Sequence, residues 1–583
     1  MPLPPDNSAD PALARADLVL HAAKAREVSS LSQMSALLAG IDWAMHLASS
    51  PGERMALVQL AFSQAEEFAR YARDSLRQAA QPTSDAPPPP PVVTDRRFAA
   101  PDWQQWPFNL LQQSFLLTEK WWNAATHGVW GVEKHHEDLV AFIARQWLDV
   151  FSPGNQLITN PVVLRRTAVQ GGANLVRGAL NLIDDLNRQA TGAPPAGAEA
   201  FAVGREVAVT PGRVVLKNRL IELIQYAPTT AKVHPEPILI TPAWIMKYYI
   251  LDLTPEESLI KYLVDQGHTV FCISWKNPGM DERDLGMDDY LQLGFHAALD
   301  AVNAIVPRRK VHAVGYCLGG TLLSIAASAM ARDGDDRLAS MTLFAAQTDF
   351  SEPGELSLFI DEGQVALLEA QMAETGYLEA GQMAGAFQML RSYDLLWSKL
   401  VNDYLLGERA PMNGLMAWNA DATRMPAKMH SQYLRRLFLG DDLSEGRYPV
   451  DGRPVSLGDL HLPIFMVGTL TDHVAPWRSV YKLHHMAPAE IDFVLTSGGH
   501  NAGIVSPPGH PHRHFQTLTR AFGATSLSPD EWLATAPQTE GSWWPAWAQW
   551  LAAHSGNKVK PPAMGCEAYH AQAEAPGAYV LEK

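Results

Sequence analysis

Cys317 lies in the run Val311-His-Ala-Val-Gly-Tyr-Cys-Leu-Gly-Gly-Thr321, where a short apolar stretch meets a glycine-rich turn and a helical pattern that continues to Met330. Gly315 and Gly319 stand two residues before and two after the thiol, the G-x-nucleophile-x-G spacing with Cys in the usual place of Ser. The spacing has a steric cause. A side chain presented on a sharp strand-to-helix turn crowds the chain at those two positions, and glycine has no Cβ to collide. The following helix aims its first N–H groups at the thiol and favours negative charge there. The bland alternative is a glycine-rich turn around a small buried cysteine.

A nucleophile of this kind needs a histidine to take its proton and an acid to orient that histidine; on such a turn they follow in the order nucleophile, acid, histidine. Leu462-Pro-Ile-Phe-Met-Val-Gly468 reads as a strand with Thr471-Asp472-His473 in the loop after it, and Glu490-Ile-Asp-Phe-Val-Leu-Thr496 as a strand followed by Ser497-Gly-Gly-His500-Asn501. Asp472 and His500 thus each follow the C-terminal end of a strand, the edge that carries Cys317 and at which open α/β sheets bind ligands. His473 is offset by one residue and reads as structural. The tetrahedral oxyanion of an acyl transfer would meet the backbone N–H of Leu318 and one from the loop after residues 238–241, that of Trp244 or its neighbour. Ile245, Met246, Tyr316 and Asn501 flank these positions and are candidates for the pocket wall. A thiol suits transfer: it exchanges one thioester for another at little cost and keeps the acyl group activated.

The elements that must position these residues alternate. Strand candidates are residues 206–209, 214–217, 221–226, 238–241, 269–274, 310–315, 341–344, 464–468 and 491–496, with helical patterns such as 255–266 and 290–305 between the later ones. This predicts an α/β-hydrolase fold: a mainly parallel sheet with an antiparallel edge formed by the first close-set strands. Between about 350 and 457 the alternation stops, where this fold places a cap. A cap would cover Cys317 and exclude water; a second packed subdomain with no gating role is the alternative.

The chain resembles the polyhydroxyalkanoate synthases, the polyester-forming acyltransferases of bacterial storage granules. The motifs are Gly315-Tyr-Cys-Leu-Gly-Gly-Thr321, Ser274-Trp-Lys-Asn-Pro278, Lys247-Tyr-Tyr-Ile-Leu-Asp-Leu253, Asp472-His-Val-Ala-Pro-Trp477 and Gly498-Gly-His-Asn-Ala-Gly503. The resemblance runs from about Leu31 to Lys583, and the length is similar to that of the single-component members that favour short-chain monomers. It implies Cys317, Asp472 and His500 as the catalytic residues. It also implies an (R)-3-hydroxyacyl-CoA substrate, a growing polyester chain, a homodimer, and cytoplasmic association with polymer granules. Where many members have Pro-Pro-x-Ile-Asn-Lys, this chain has Pro242-Ala-Trp-Ile-Met-Lys247, a departure that bears on pocket shape and monomer range.

Composition bounds the alternatives. The chain has 583 residues, 47% hydrophobic and 19% charged, enough for two or three globular domains. A net charge of −16 argues against nucleic-acid binding, which needs a surplus of Lys and Arg. Arg308-Arg-Lys310 would suit an anionic acyl-CoA, but it precedes the strand ending at Cys317, roughly 17–20 Å from the site edge, and reads as a solvated turn. The three cysteines, Cys272, Cys317 and Cys566, are too few for a disulfide scaffold. Cys272 reads as core and Cys566 as part of a loose polar tail. No signal peptide and no membrane span are expected. His510-Pro-His-Arg-His514 could bind metal, but Pro511 and the loop context favour a solvated role. With no P-loop, dinucleotide fingerprint or CxxC pair, no metal and no cofactor are expected.

Residues 1–26 read as a mobile start, 27–77 as a helical hairpin module, 78–95 as a proline-rich linker, 96–200 as a helical N-terminal domain, and 201–583 as the catalytic domain with the cap insert. Leu37, Leu38, Ile41, Met45 and Leu47 define one side of the first helix. The tryptophans between 96 and 187 fit core packing or contact with polymer, partner or granule. Three functions remain: polyester synthesis, a Cys-dependent hydrolase (a polyester depolymerase or thioesterase) on the same triad, and a non-catalytic granule scaffold.

Overall fold

The computed structural model describes residues 31–80 and 89–583. The expected mobile start, and residues 81–88 of the expected proline-rich linker, therefore lie outside the described residues. The chain divides into two compact units.

Among the described residues, the helical unit comprises 31–80, 89–196 and 385–411. Its helices are α1 (Gln33–Ser49), α2 (Pro51–Ala80), α3 (Phe108–Thr126), α4 (Lys134–Phe151), α5 (Pro161–Val169) and α6 (Ala173–Thr191). Starts are marked by polar caps and prolines: Ser32 caps α1, Pro51 opens α2, and Asn160 accepts from the N–H groups of Val162 and Val163 ahead of α5. The hairpin module is not separate from the helices after the proline run. Trp43 Nε1 donates to Ala125 O (2.8 Å) and Trp121 Nε1 to Leu57 O (3.1 Å), which ties α1 and α2 to α3. Nor is the 350–457 insert one body. Residues 385–411 pack on α6, where Arg409 pairs with Asp184 (3.0 Å) and Asp185 (2.7 Å) and the backbone of Tyr404 runs against Gly178.

The apolar side of α1 faces outward: Leu37, Leu38, Ile41 and Met45 are all exposed, and α1 instead buries Ser35 and Ala39. The tryptophans divide. Trp103 packs edge-on against Phe98 in the core, whereas Trp106, Trp130 and Trp147 are exposed.

The second unit, residues 197–384 and 412–583 among those described, holds a ten-stranded sheet. Its strands are β1 (Gly212–Lys217), β2 (Ile221–Tyr226), β3 (Ile238–Thr241), β4 (Val270–Trp275), β5 (Val311–Tyr316), β6 (Leu338–Phe344), β7 (Ile464–Thr469), β8 (Ile491–Thr496), β9 (His514–Arg520) and β10 (Gln538–Glu540). They are ordered β1-β2-β4-β3-β5-β6-β7-β8-β9-β10. The run from β4 to β8 is parallel, and both edges are antiparallel. Residues 206–209 do not form a strand; Val207 makes only an isolated bridge to Val203.

Side chains alternate between two cores, as the strand period requires. Val311 and Ala313 of β5 pack beneath α8 (Ala297–Ile305) and α9 (Leu318–Asp333). Val314 and Tyr316 face α7 (Leu259–Asp265) and α10 (Trp544–Ala553) on the other side. With helices on both faces, the central strands are buried throughout, which is why they read as continuous apolar runs. Residues 556–583 are not a loose tail. Gly565 N–H donates to Gln225 Oε1 (2.7 Å), Val214 N–H to Ala573 O (2.9 Å), and Val559 pairs with Val233.

Candidate active site

The site is built where β5 stops. Cys317 takes φ 53° and ψ −123°, a left-handed conformation that L-residues avoid, and α9 begins at the next residue. The turn is held by Cys317 N–H to Phe344 O (2.9 Å) and by Gly320 N–H to Cys317 O (2.9 Å). The flanking glycines are there for space. A Cβ on Gly315 would lie 2.4 Å from Gly320 Cα, and one on Gly319 would lie 2.0 Å from Thr241 O and 2.6 Å from Pro242 O. The second contact shows how closely the loop after β3 rides on the elbow. Leu318, buried, is the first helical residue, so its N–H has no partner within the helix.

Asp472 follows β7 with its side chain fully buried. Its Oδ1 accepts the N–H groups of Val474 (2.8 Å) and Ala475 (2.9 Å); its Oδ2 accepts the Thr469 hydroxyl (2.8 Å) and faces His500 Nδ1 (2.8 Å). Burial pushes its pKa up, but the His500 charge and these hydrogen bonds outweigh it and hold the carboxyl below its usual range. His500 shows the converse. Burial disfavours its charged form, yet Asp472 and Cys317 on either side raise its pKa well above that of a free imidazole. With Nδ1–H directed at Asp472, Nε2 is the ring nitrogen left for a second partner.

Tyr316, directly before Cys317, stacks on His500 with centroids 5.7 Å apart and planes 28° apart, and its hydroxyl donates to Asn501 Oδ1 (2.5 Å). Tyr316 and Asn501 thus lie behind and beside the imidazole. Trp543 and Trp544 fix the same loop by donating to Gly503 O and Ile504 O (both 2.9 Å).

Trp244, Ile245 and Met246 lie in the loop after β3. The Trp244 ring is buried against Trp275 and Tyr290, while half-buried Ile245 and Met246 turn toward opposite cores. His473 contributes its carbonyl to Glu355 N–H (3.2 Å). Lys310 pairs with Asp336 (3.1 Å) ahead of β5, and His514 opens β9.

Two residues of the site carry no motif. Thr469 orients Asp472 from the last position of β7. Tyr433, buried in an aromatic cluster with Phe350 and Phe438, comes close enough to Cys317 for the thiol's charge to add to burial in raising its pKa. A hydroxyl three residues before a proposed acid could have flagged Thr469; nothing local distinguishes Tyr433.

Residues 94–263 match the family described as poly-beta-hydroxybutyrate polymerase N-terminus, residues 11–53 match poly-beta-hydroxybutyrate polymerase N terminal, and residues 236–507 match the alpha/beta hydrolase fold. A poly(3-hydroxyalkanoate) polymerase of Methylorubrum extorquens is 42% identical over 84% of this chain and 81% of its own length. The chain belongs to the poly(3-hydroxyalkanoate) polymerase family. Polymerase subunits of Rhizobium meliloti and Rhizobium etli are 40% and 39% identical, over 83% and 84% of this chain and 79% and 77% of their own lengths. The α/β-hydrolase fold expected from the elbow is the fold observed. Among the described residues no helix is long and apolar enough to cross a membrane.

Proposed function

We propose that this protein is a polyester synthase that polymerises (R)-3-hydroxyacyl-CoA, with (R)-3-hydroxybutyryl-CoA as the monomer, and releases CoA. The observation that carries the reading is a thiol on a strained elbow beside a His500–Asp472 pair, in a chain 42% identical to a poly(3-hydroxyalkanoate) polymerase.

Cys317 passes its proton to His500 Nε2 and its sulfur attacks the thioester carbonyl. Asp472 holds the tautomer and stabilises the imidazolium. The oxyanion is met by the N–H of Leu318 and of Trp244. Its collapse breaks the bond to CoA, which leaves with the proton from His500, and the acyl group remains on Cys317. The 3-hydroxyl of the next monomer, deprotonated by His500 or with help from Asp472, then attacks the acyl-enzyme, its proton passing to His500. An ester bond forms and the Cys317 thiol is restored. Water is the competing nucleophile, so a dry pocket around Cys317 would favour transfer over hydrolysis, with Ile245 and Met246 as candidates for its wall. Homodimer formation and cytoplasmic granule association belong to the same reading.

The test is CoA release from (R)-3-hydroxybutyryl-CoA with the product recovered and sized. Insoluble polyester, absent with Cys317→Ala, is the expected result. Free 3-hydroxybutyrate alone would make the protein a hydrolase.

A further inference from the structure

Lys247 closes the loop that rides on the elbow, and it is 3% exposed. Among the described residues its ammonium has no carboxylate within ion-pair distance; it donates to two backbone carbonyls, Glu582 O (2.6 Å) and Tyr579 O (3.4 Å). Burial lowers its pKa to about 8; Asp421 and Glu582 favour its charge, and Lys583 and Arg424 oppose it. A buried amine is costly, and here it spans from residues 242–247 to residues 579–583.

Both ends of that span are anchored. Residues 579–583 are fixed to β2 through Tyr579 N–H to Glu222 Oε2 (2.9 Å) and to the turn before it through Tyr579 Oη to Asn218 O (2.6 Å). Lys583 Nζ reaches Asp421 Oδ1 (2.8 Å). The loop is held by the segment around Asp421: Thr423 Oγ1 donates to Trp244 O and Trp418 Nε1 to Lys247 O (2.8 and 2.7 Å). A trans peptide points each C=O opposite to the N–H of the next residue, so these bonds fix the peptides of Ile245 and Tyr248, and through the first of them the chain directly after the Trp244 N–H. Two motifs that the acyl-transfer chemistry leaves unused, at 247–253 and 274–278, thus meet the segment 418–424 at one joint beside the elbow. Asn277 N–H completes it with a bond to Glu582 Oε2 (3.2 Å).

We propose that residues 579–583 are a positioning element of the active site, acting through Lys247 to hold residues 242–247 in the geometry that presents an oxyanion donor. The inference rests on the reading that this loop supplies such a donor. The segment never touches substrate; it sets where the loop's N–H points, so its loss lowers kcat more than it raises KM.

The test compares Lys247→Met, Lys247→Arg and Thr423→Val by CoA release from (R)-3-hydroxybutyryl-CoA and by amide hydrogen exchange at residues 579–583. In Lys247→Met, exchange at 579–583 rises and kcat falls at least tenfold with KM within twofold. Lys247→Arg, which keeps a cation with donors, recovers most of both. A freed segment with wild-type kcat would overturn the proposal. Wild-type kcat in Thr423→Val, which releases Trp244 O directly, would overturn the oxyanion reading beneath it. If Lys247→Met does not fold, Tyr579→Ala removes the segment's side-chain bond to Asn218 O, in the turn before β2, while leaving Lys247 intact. It is expected to show the same paired change, and faster exchange without loss of kcat would again refute the proposal.

Discussion

Gly319→Ala places one methyl group between the elbow and the oxyanion loop. The added Cβ would lie 2.0 Å from Thr241 O and 2.6 Å from Pro242 O, both backbone atoms that no rotamer change can move. The end of β3 and the loop must therefore retreat by about 1 Å. A displacement of that size at a catalytic donor costs on the order of 100-fold in rate, about 2.7 kcal/mol of transition-state stabilisation. Overpacking at this density costs about 1–3 kcal/mol of folding stability. Gly40→Ala is the control: in helix α1 a Cβ meets nothing within 4 Å, so stability should rise by about 0.5–1 kcal/mol with kcat unchanged. The assay is kcat for CoA release alongside a thermal melt of each variant. A folded Gly319→Ala enzyme with kcat within twofold of wild type would refute the argument that the elbow and this loop act as one unit.

Thr469→Val removes the hydroxyl that donates to Asp472 Oδ2; kcat should fall about tenfold with KM unchanged, and an equal change in both would point to substrate contact instead. Asp472→Asn should retain measurable single-turnover acylation but slow elongation, and equal loss of both steps would count against a separate part for Asp472 in elongation. Burial lowers the pKa of His268 and His484 to about 3 and of His312 and His430 to about 4, against 6.5 unperturbed. Below pH 6.5 the unfolded chain binds more protons than the folded one, so stability is fully present above 6.5 and is lost as pH falls toward 4, by about 1.4 kcal/mol per pH unit per histidine. Tm measured from pH 7 to 4 should drop steeply, and a flat profile would exclude neutral burial of these rings.

The parts of the fold that carry local signals were legible. Strands β2 to β8 are buried on both faces and flanked by turn residues, so their apolar runs stood out, and the elbow glycines are constrained by backbone sterics within a few residues. The positions of Asp472 and His500 followed from strand ends alone, and the structure brings them to 2.8 Å. Strand β9 was not legible: His514-Phe-Gln-Thr-Leu-Thr-Arg520 is mixed in polarity because it is only partly buried near an edge. The periodicity of α1 announced the helix that the structure has, but not that its apolar side is exposed, because periodicity reports a helix and not what covers it. The membership of residues 385–411 in the helical unit, the approach of Tyr433 to Cys317 and the clasp on Lys247 all depend on partners more than a hundred residues away. No window of sequence contains them.

The account stands on an acyl group carried by Cys317. The direct measurement is mass spectrometry of the wild-type protein quenched in acid within seconds of mixing with (R)-3-hydroxybutyryl-CoA, then digested and mapped. The account predicts hydroxyacyl units on the peptide containing Cys317, none on Cys272 or Cys566, and no adduct in Cys317→Ala. Polyester formed by the Cys317→Ala enzyme, or an adduct that maps to another residue, would contradict it.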